Sequence, residues 1–179
     1  MASLMRSWMA ILAGGAALVL GLAGASCSPG ESASARAQAS APVAAAAARH
    51  PVSGLPVIDL VVERAGQRLP FRVEVAASPE AQARGLMFRD RLGENEGMLF
   101  PSAVPEQRAF WMKNTPLSLD IIFIGPDGRI TNIAANTVPY SLEPIPSAGL
   151  TSAVLELRGG RAAALGIVPG DRVIYSLPR

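Results

Sequence analysis

Leu119-Asp120-Ile121-Ile122-Phe123-Ile124-Gly125-Pro126-Asp127-Gly128-Arg129 is the stretch that decides the fold. The apolar run Ile121 to Ile124 does not alternate with polar residues, so it predicts a central strand covered on both faces. Gly125-Pro126-Asp127-Gly128 then supplies tight-turn chemistry, and Arg129 to Ala134 is expected to return antiparallel. A buried strand needs neighbours, and the sequence provides them on either side. Val57 to Glu63 has a β-branched bias and reads as a strand closed by the turn Ala65-Gly66-Gln67. In Phe71-Arg72-Val73-Glu74-Val75 the period of two points Phe71, Val73 and Val75 inward and Arg72 and Glu74 outward. Gly97 to Phe100, Phe110 to Met112, Ala153 to Leu157 and Val173 to Leu177 are further short strands.

Two helices interrupt this series. Ser78-Pro79-Glu80 carries an N-cap serine, a proline at the first helical position and an acid in the first turn, ending near Gly85. The second runs from Arg161 to Leu165 after Gly159-Gly160. Val138 to Gly149 holds three prolines and reads as a long irregular loop. About seven short strands and two short helices predict a mostly β (α+β) domain, a compact antiparallel barrel or sandwich.

The domain begins near Leu55 and takes the rest of the 179-residue chain. Ahead of it, residues 28–54 are rich in Ala, Ser and Pro, too poor in large apolar groups to offset the entropy of ordering, and are expected to form a disordered tether. Residues 1–27 have the cadence of an export signal: Arg6, then an uncharged run from Trp8 to Ala25, then small residues. The single cysteine, Cys27, follows Leu22-Ala23-Gly24-Ala25-Ser26 and resembles the lipidated cysteine of a bacterial lipoprotein, although Gly24 stands where that motif usually has leucine. Ordinary cleavage, after Ala25 or Ala37, and an uncleaved anchor are the alternatives. The chain is thus expected to be exported and periplasmic, tethered to a membrane by a lipid on Cys27.

Charge and composition exclude whole classes of function. From Leu55 onward twelve arginines and Lys113 face thirteen Asp and Glu, so the domain is neutral and offers no electrostatic case for nucleic acid. The chain's pI of 9.2 comes from Arg6, Arg36 and Arg49 against Glu31. The one histidine, His50, falls in the expected tether, which leaves the domain without His or Cys. Ser-His-Asp triads, Cys-His pairs and the usual zinc sites are then unavailable, and no Asp-rich calcium loop is present. Neither a metal nor a cofactor is expected.

What remains is a polar constellation around Phe110-Trp111-Met112-Lys113-Asn114-Thr115. Lys113 is the only lysine among fifteen arginines, which suggests that a compact ammonium rather than a planar guanidinium is needed there. With Trp111, Asn114, Thr115 and Asp120 it makes a candidate binding site for a small polar or carbohydrate-like ligand or a protein partner. The bland reading is equally open: Asn114-Thr115 shape a turn, and Lys113 pairs with Asp120 or Glu156. Glu156, flanked by Leu155 and Leu157, should point to solvent or a cleft, with solvent favoured. Arg84, with Arg89, could clamp an anion or bridge to Glu94 or Glu96. Met87, Met98 and Met112 read as core filler before they read as copper ligands. Asp171 is assigned to capping backbone amides. Two rival functions stand beside a binding domain. One is a carboxylate-based hydrolase with Asp120 and Glu156 as its acid/base pair. The other is a structural envelope protein pairing through a β edge.

Five phrases occur in order: Arg84-Gly85-Leu86-Met87 with Arg89; Gly97-Met98-Leu99-Phe100; Phe110 to Thr115; Leu119-Asp120-Ile121-Ile122-Phe123; and Leu155-Glu156-Leu157 followed by Gly159-Gly160 and Gly166-Ile167. This combination resembles the prokaryotic domain-of-unknown-function family 192 over roughly Val57 to Tyr175. The resemblance implies a compact, mostly β domain, exported or lipid-anchored in many members. It supplies no function.

Overall fold

A computed structural model describes residues 48–178. Its strands are β1 (Val57–Arg64), β2 (Gln67–Val75), β3 (Glu96–Glu106), β4 (Ala109–Phe110), β5 (Leu119–Ile124), β6 (Ile130–Ala134), β7 (Ile145–Pro146), β8 (Thr151–Arg158) and β9 (Arg172–Tyr175). Helix α1 (Pro79–Arg84) follows β2, and α2 (Arg161–Leu165) follows β8. The hydrophobic N-terminus, Cys27 and most of the expected tether lie outside the described residues.

Seven strands form one sheet in the order β6-β5-β8-β3-β2-β1-β9, and β4 and β7 form a small second sheet. The expected antiparallel arrangement holds except at one pair: β2 and β3 run parallel, from Arg72 opposite Glu96 to Val75 opposite Leu99, so the sheet is mixed. A parallel pair needs a crossover connection, and the segment carrying α1 is that crossover. The long sheet curls until its two edges touch. Arg129 bridges Arg172, the Ile130 amide donates to the Asp171 carbonyl, and the Val173 amide donates to that of Gly128. The contact stays local, so the barrel does not close and the fold is sandwich-like.

The reading of β5 was right in full: all six of its residues are buried. They supply two cores on opposite faces. Ile122 and Ile124 join Leu60, Phe71, Leu99 and Leu155 on one side; Leu119, Ile121 and Phe123 join Met98, Phe100, Met112 and Val154 on the other. The second core lies under α1 and the small sheet. There Phe110 stacks edge-on against Phe100 and Phe123, at 5.1 Å and 6.1 Å between ring centroids.

Three local expectations change. Phe110 to Met112 is not a strand beyond Phe110; the chain leaves β4 at once to pack Met112 into the second core. The proline-rich loop contains a strand, β7, which covers β4. The ordered domain also reaches back into the expected tether: Arg49 bridges Pro56, and His50 to Gly54 make a turn whose Ser53 hydroxyl donates to Glu74. His50 therefore belongs to the domain, contrary to the reading that left it without a histidine.

Candidate functional site

Cross-strand register builds the site. Glu74 lies opposite Met98, Met98 opposite Glu156, and Glu156 opposite Ile121. These four residues form one row across β2, β3, β8 and β5, and paired residues share a face. Glu74 and Glu156 are thus both carried onto the face of the second core, and both are buried. For Glu74 this reverses the outward orientation expected from alternation. The strand does alternate, but its second face is covered.

Glu74 is fully answered. Its carboxylate accepts from Arg89 Nη1 at 2.9 Å and from Ser53, and His50 Nε2 lies 3.6 Å away. The Ser53 hydroxyl donates to the carboxylate and not to the imidazole, so these three do not make a serine-histidine-acid triad. Arg89 binds Glu74 rather than Glu94 or Glu96; Glu94 pairs instead with Arg158 and Arg161.

Glu156 is 4 % exposed and has no hydrogen-bonding or ion-pairing partner among the described residues. It forms the floor of a cavity of about 210 Å³. One wall is the end of α1 with Gly85-Leu86-Met87; the other runs from Arg108 through Trp111 to Lys113 and Thr115. Gly85, at φ 48°, lets the helix end over Phe100: a Cβ there would stand 3.3 Å from the ring. Burial pushes the Glu156 carboxyl up to about 8, against a smaller opposing pull from Arg108. At neutral pH it is therefore chiefly the neutral acid, able to donate an O–H.

Arg108 is held rigidly beside this acid. Nη1 donates to the Phe100 carbonyl at 3.3 Å and to Ser102 at 3.2 Å, Nη2 donates to Gln82 at 3.0 Å, and the guanidinium stands 5.1 Å from the Phe110 ring centroid. Burial lowers its pKa. The exposed Lys113 is different. Its ammonium sits over Trp111, 5.1 Å from the ring centroid, and no carboxylate pairs with it among the described residues. The anticipated ion pair with Asp120 or Glu156 is not formed. Trp111 is half exposed.

Of the residues singled out from sequence, Arg84, Trp111, Lys113, Thr115 and Glu156 come together around this cavity. Asn114 and Asp120 do not line it. Asn114 adopts φ 54°, a left-handed turn conformation that asparagine tolerates, and its amide reaches Met87 Sδ. Asp120 is opposite Leu157 and so faces the other side of the sheet from Glu156. Its oxygens accept from the amides of Asn136 at 2.8 Å, Gly160 at 3.0 Å and Ala162 at 2.7 Å, which fastens the start of α2. Met98 and Met112 are core residues, and Asp171 accepts from the Val168 amide at 2.9 Å, as expected of a cap. Arg108 and Gln82 were missed. Nothing distinguishes Arg108 among many arginines until the fold brings it to the cavity that Glu156 lines.

A curled mixed sheet with a polar cavity beneath a short crossover helix defines a small β-rich domain. The chain belongs to DUF192, described as an uncharacterised conserved family, whose model matches residues 60–175. It is similar to a crystallised protein of unknown function from Novosphingobium aromaticivorans DSM 12444, at 54 % identity and TM-score 0.70, covering 73 % of this chain and 94 % of that one. It is also similar to a protein from Sinorhizobium meliloti 1021 described as a candidate transcription regulator, at 37 % identity and TM-score 0.66, covering 68 % and 95 %. No curated protein matches the sequence.

Proposed function

We propose that this protein is an exported, membrane-tethered binding domain whose cavity between α1 and β4 holds a small polar or carbohydrate-like ligand. One observation carries the reading: a buried Glu156 carboxyl without a partner faces a cavity ringed by Trp111, Lys113, Arg84 and Arg108. The Glu156 carboxyl opens onto the cavity without a protein partner, so an incoming hydroxyl or ether oxygen would supply the hydrogen bond that the chain does not. Trp111 offers an apolar face of the kind on which sugar rings rest. The hydrolase alternative loses support because Asp120 is saturated and faces away, which leaves the cavity one carboxyl where acid/base glycoside chemistry uses two. A purely structural role would not call for an acid that faces a cavity with no protein partner. The neutral charge balance of the domain gives no support for carrying over the regulator description of the Sinorhizobium protein.

Saturation-transfer NMR on the full-length chain in detergent, with a panel of monosaccharides and organic acids, tests this function. At least one compound should receive magnetisation from the wild type and none from Trp111→Ala. Transfer that survives in the variant would place the ligand elsewhere. The tether is tested separately: palmitate labelling should mark the wild type and not Cys27→Ser, and an unlabelled wild type ends the lipoprotein reading.

A further inference from the structure

We propose that the ligand is a small hydroxylated anion, of the kind shared by sugar acids, hydroxy acids and sugar phosphates, with its charged group at Lys113 and Arg84 and its hydroxyls at Glu156. The inference rests on the binding reading above and specifies it.

The distribution of donors and acceptors around the cavity carries the argument. The charged groups lining it are three cations, Arg84, Arg108 and Lys113, and one acid, Glu156. Arg108 has committed both terminal nitrogens to Phe100, Ser102 and Gln82, so it contributes a fixed positive charge rather than a free fork. Lys113 and Arg84 have no ion-pair partner among the described residues, and both reach the mouth of the cavity from opposite walls. Charge density thus rises toward the mouth, while the floor is a buried carboxyl. An anionic group seated beside Glu156 would find Arg108 with its terminal nitrogens already taken; one seated at the mouth meets two cations free of ion pairs among the described residues. The middle is apolar, between Trp111, Phe100 and Leu86. The space is small. At about 210 Å³ the cavity falls below the roughly 300–1,000 Å³ of ordinary small-molecule pockets, which suits a ligand no larger than about a single sugar ring. A polar group at the inner end of that ligand would partner the acid, which is more than nine-tenths buried and has no partner from the chain.

A further consequence separates this arrangement from generic attraction to a cationic surface. Ionised Glu156 would oppose an anion only a few ångströms away, so binding should require the protonated acid. Affinity then falls as pH rises through about 8. Between pH 7 and pH 9 the protonated fraction falls about tenfold, and the affinity should fall by the same factor.

The test is calorimetric titration of the full-length chain in detergent with D-glucuronate, D-glucose 6-phosphate, D-lactate and D-glucose at pH 7 and pH 9. One of the three anions should bind at least about tenfold more tightly than D-glucose at pH 7, and its identity tells carboxylate from phosphate and ring from short chain. That anion should weaken about tenfold at pH 9. Glu156→Gln should bind it at pH 7 with similar affinity and lose the pH dependence, because the amide keeps a donor and cannot ionise. Lys113→Met should abolish the preference over D-glucose. Equal or tighter binding of D-glucose overturns the anion inference and leaves the binding reading standing. An anion preference with the same pH dependence in Glu156→Gln overturns the placement at Glu156. Failure of all four probes to bind the wild type overturns the inference and removes support for the cavity as a binding site.

Discussion

Glu74 and Glu156 occupy the same row of the same sheet, one on each side of Met98, and both are buried. Their surroundings differ completely. Around Glu74 the chain has gathered Arg89, Ser53 and His50, drawn from the loop after α1 and from the turn ahead of β1. Around Glu156 it has placed an aromatic rim and cations that stop short of contact. Asp120 makes the contrast sharper: a third buried carboxyl, on the neighbouring strand, with three backbone amides on its oxygens. This fold can satisfy a buried acid in two different ways, so the bare state of Glu156 is a property of the cavity and not a general looseness of the core.

Breaking the satisfied member should have the largest effect. Glu74→Ala leaves the largely buried Arg89 guanidinium without its acceptor, and urea unfolding should show a loss of about 3–5 kcal/mol. Glu156→Gln should act in the opposite direction. From the ordinary 4.5 to about 8, the folded protein keeps a proton on Glu156 that the unfolded chain releases, so wild-type stability falls with rising pH across that window. The Gln variant lacks this loss. It should match the wild type near pH 4.5 and exceed it by about 4 kcal/mol at pH 8.5; equal stability at both pH values breaks the comparison. Lys113→Met should change stability least, within about 0.5 kcal/mol, because the exposed ammonium holds no carboxylate. A loss of several kcal/mol would mean that Lys113 anchors the fold.

Much of this was legible from residue patterns, and the failures have a common cause. The unbroken run Ile121 to Ile124 correctly announced a strand buried on both faces, and Ser78-Pro79 fixed the start of α1, where the serine hydroxyl accepts from the Ala81 amide. The singular Lys113 drew attention to a group of residues, Trp111, Thr115, Glu156 and Arg84, that the fold does bring around one cavity. Period-two alternation failed at Glu74 and Glu156 because it sorts residues by face and cannot tell whether the second face is open or roofed; here α1 and the small sheet roof it. Asp120 was misassigned because proximity along the chain suggested Lys113 as its partner. Strand register turns it to the far face, where the backbone of α2 waits. Arg108 carried no signal at all, since its role exists only through Gln82, Ser102 and Phe100, brought from two other elements.

The central claim is that Glu156 is held as a neutral acid by burial within an open cavity. Carbon-detected NMR of the Glu156 side-chain carboxyl, assigned by comparison with Glu156→Gln, follows its titration directly. The midpoint should fall near 8. A midpoint near the ordinary 4.5 would contradict it, and with it the view of Glu156 as the waiting half of a ligand contact.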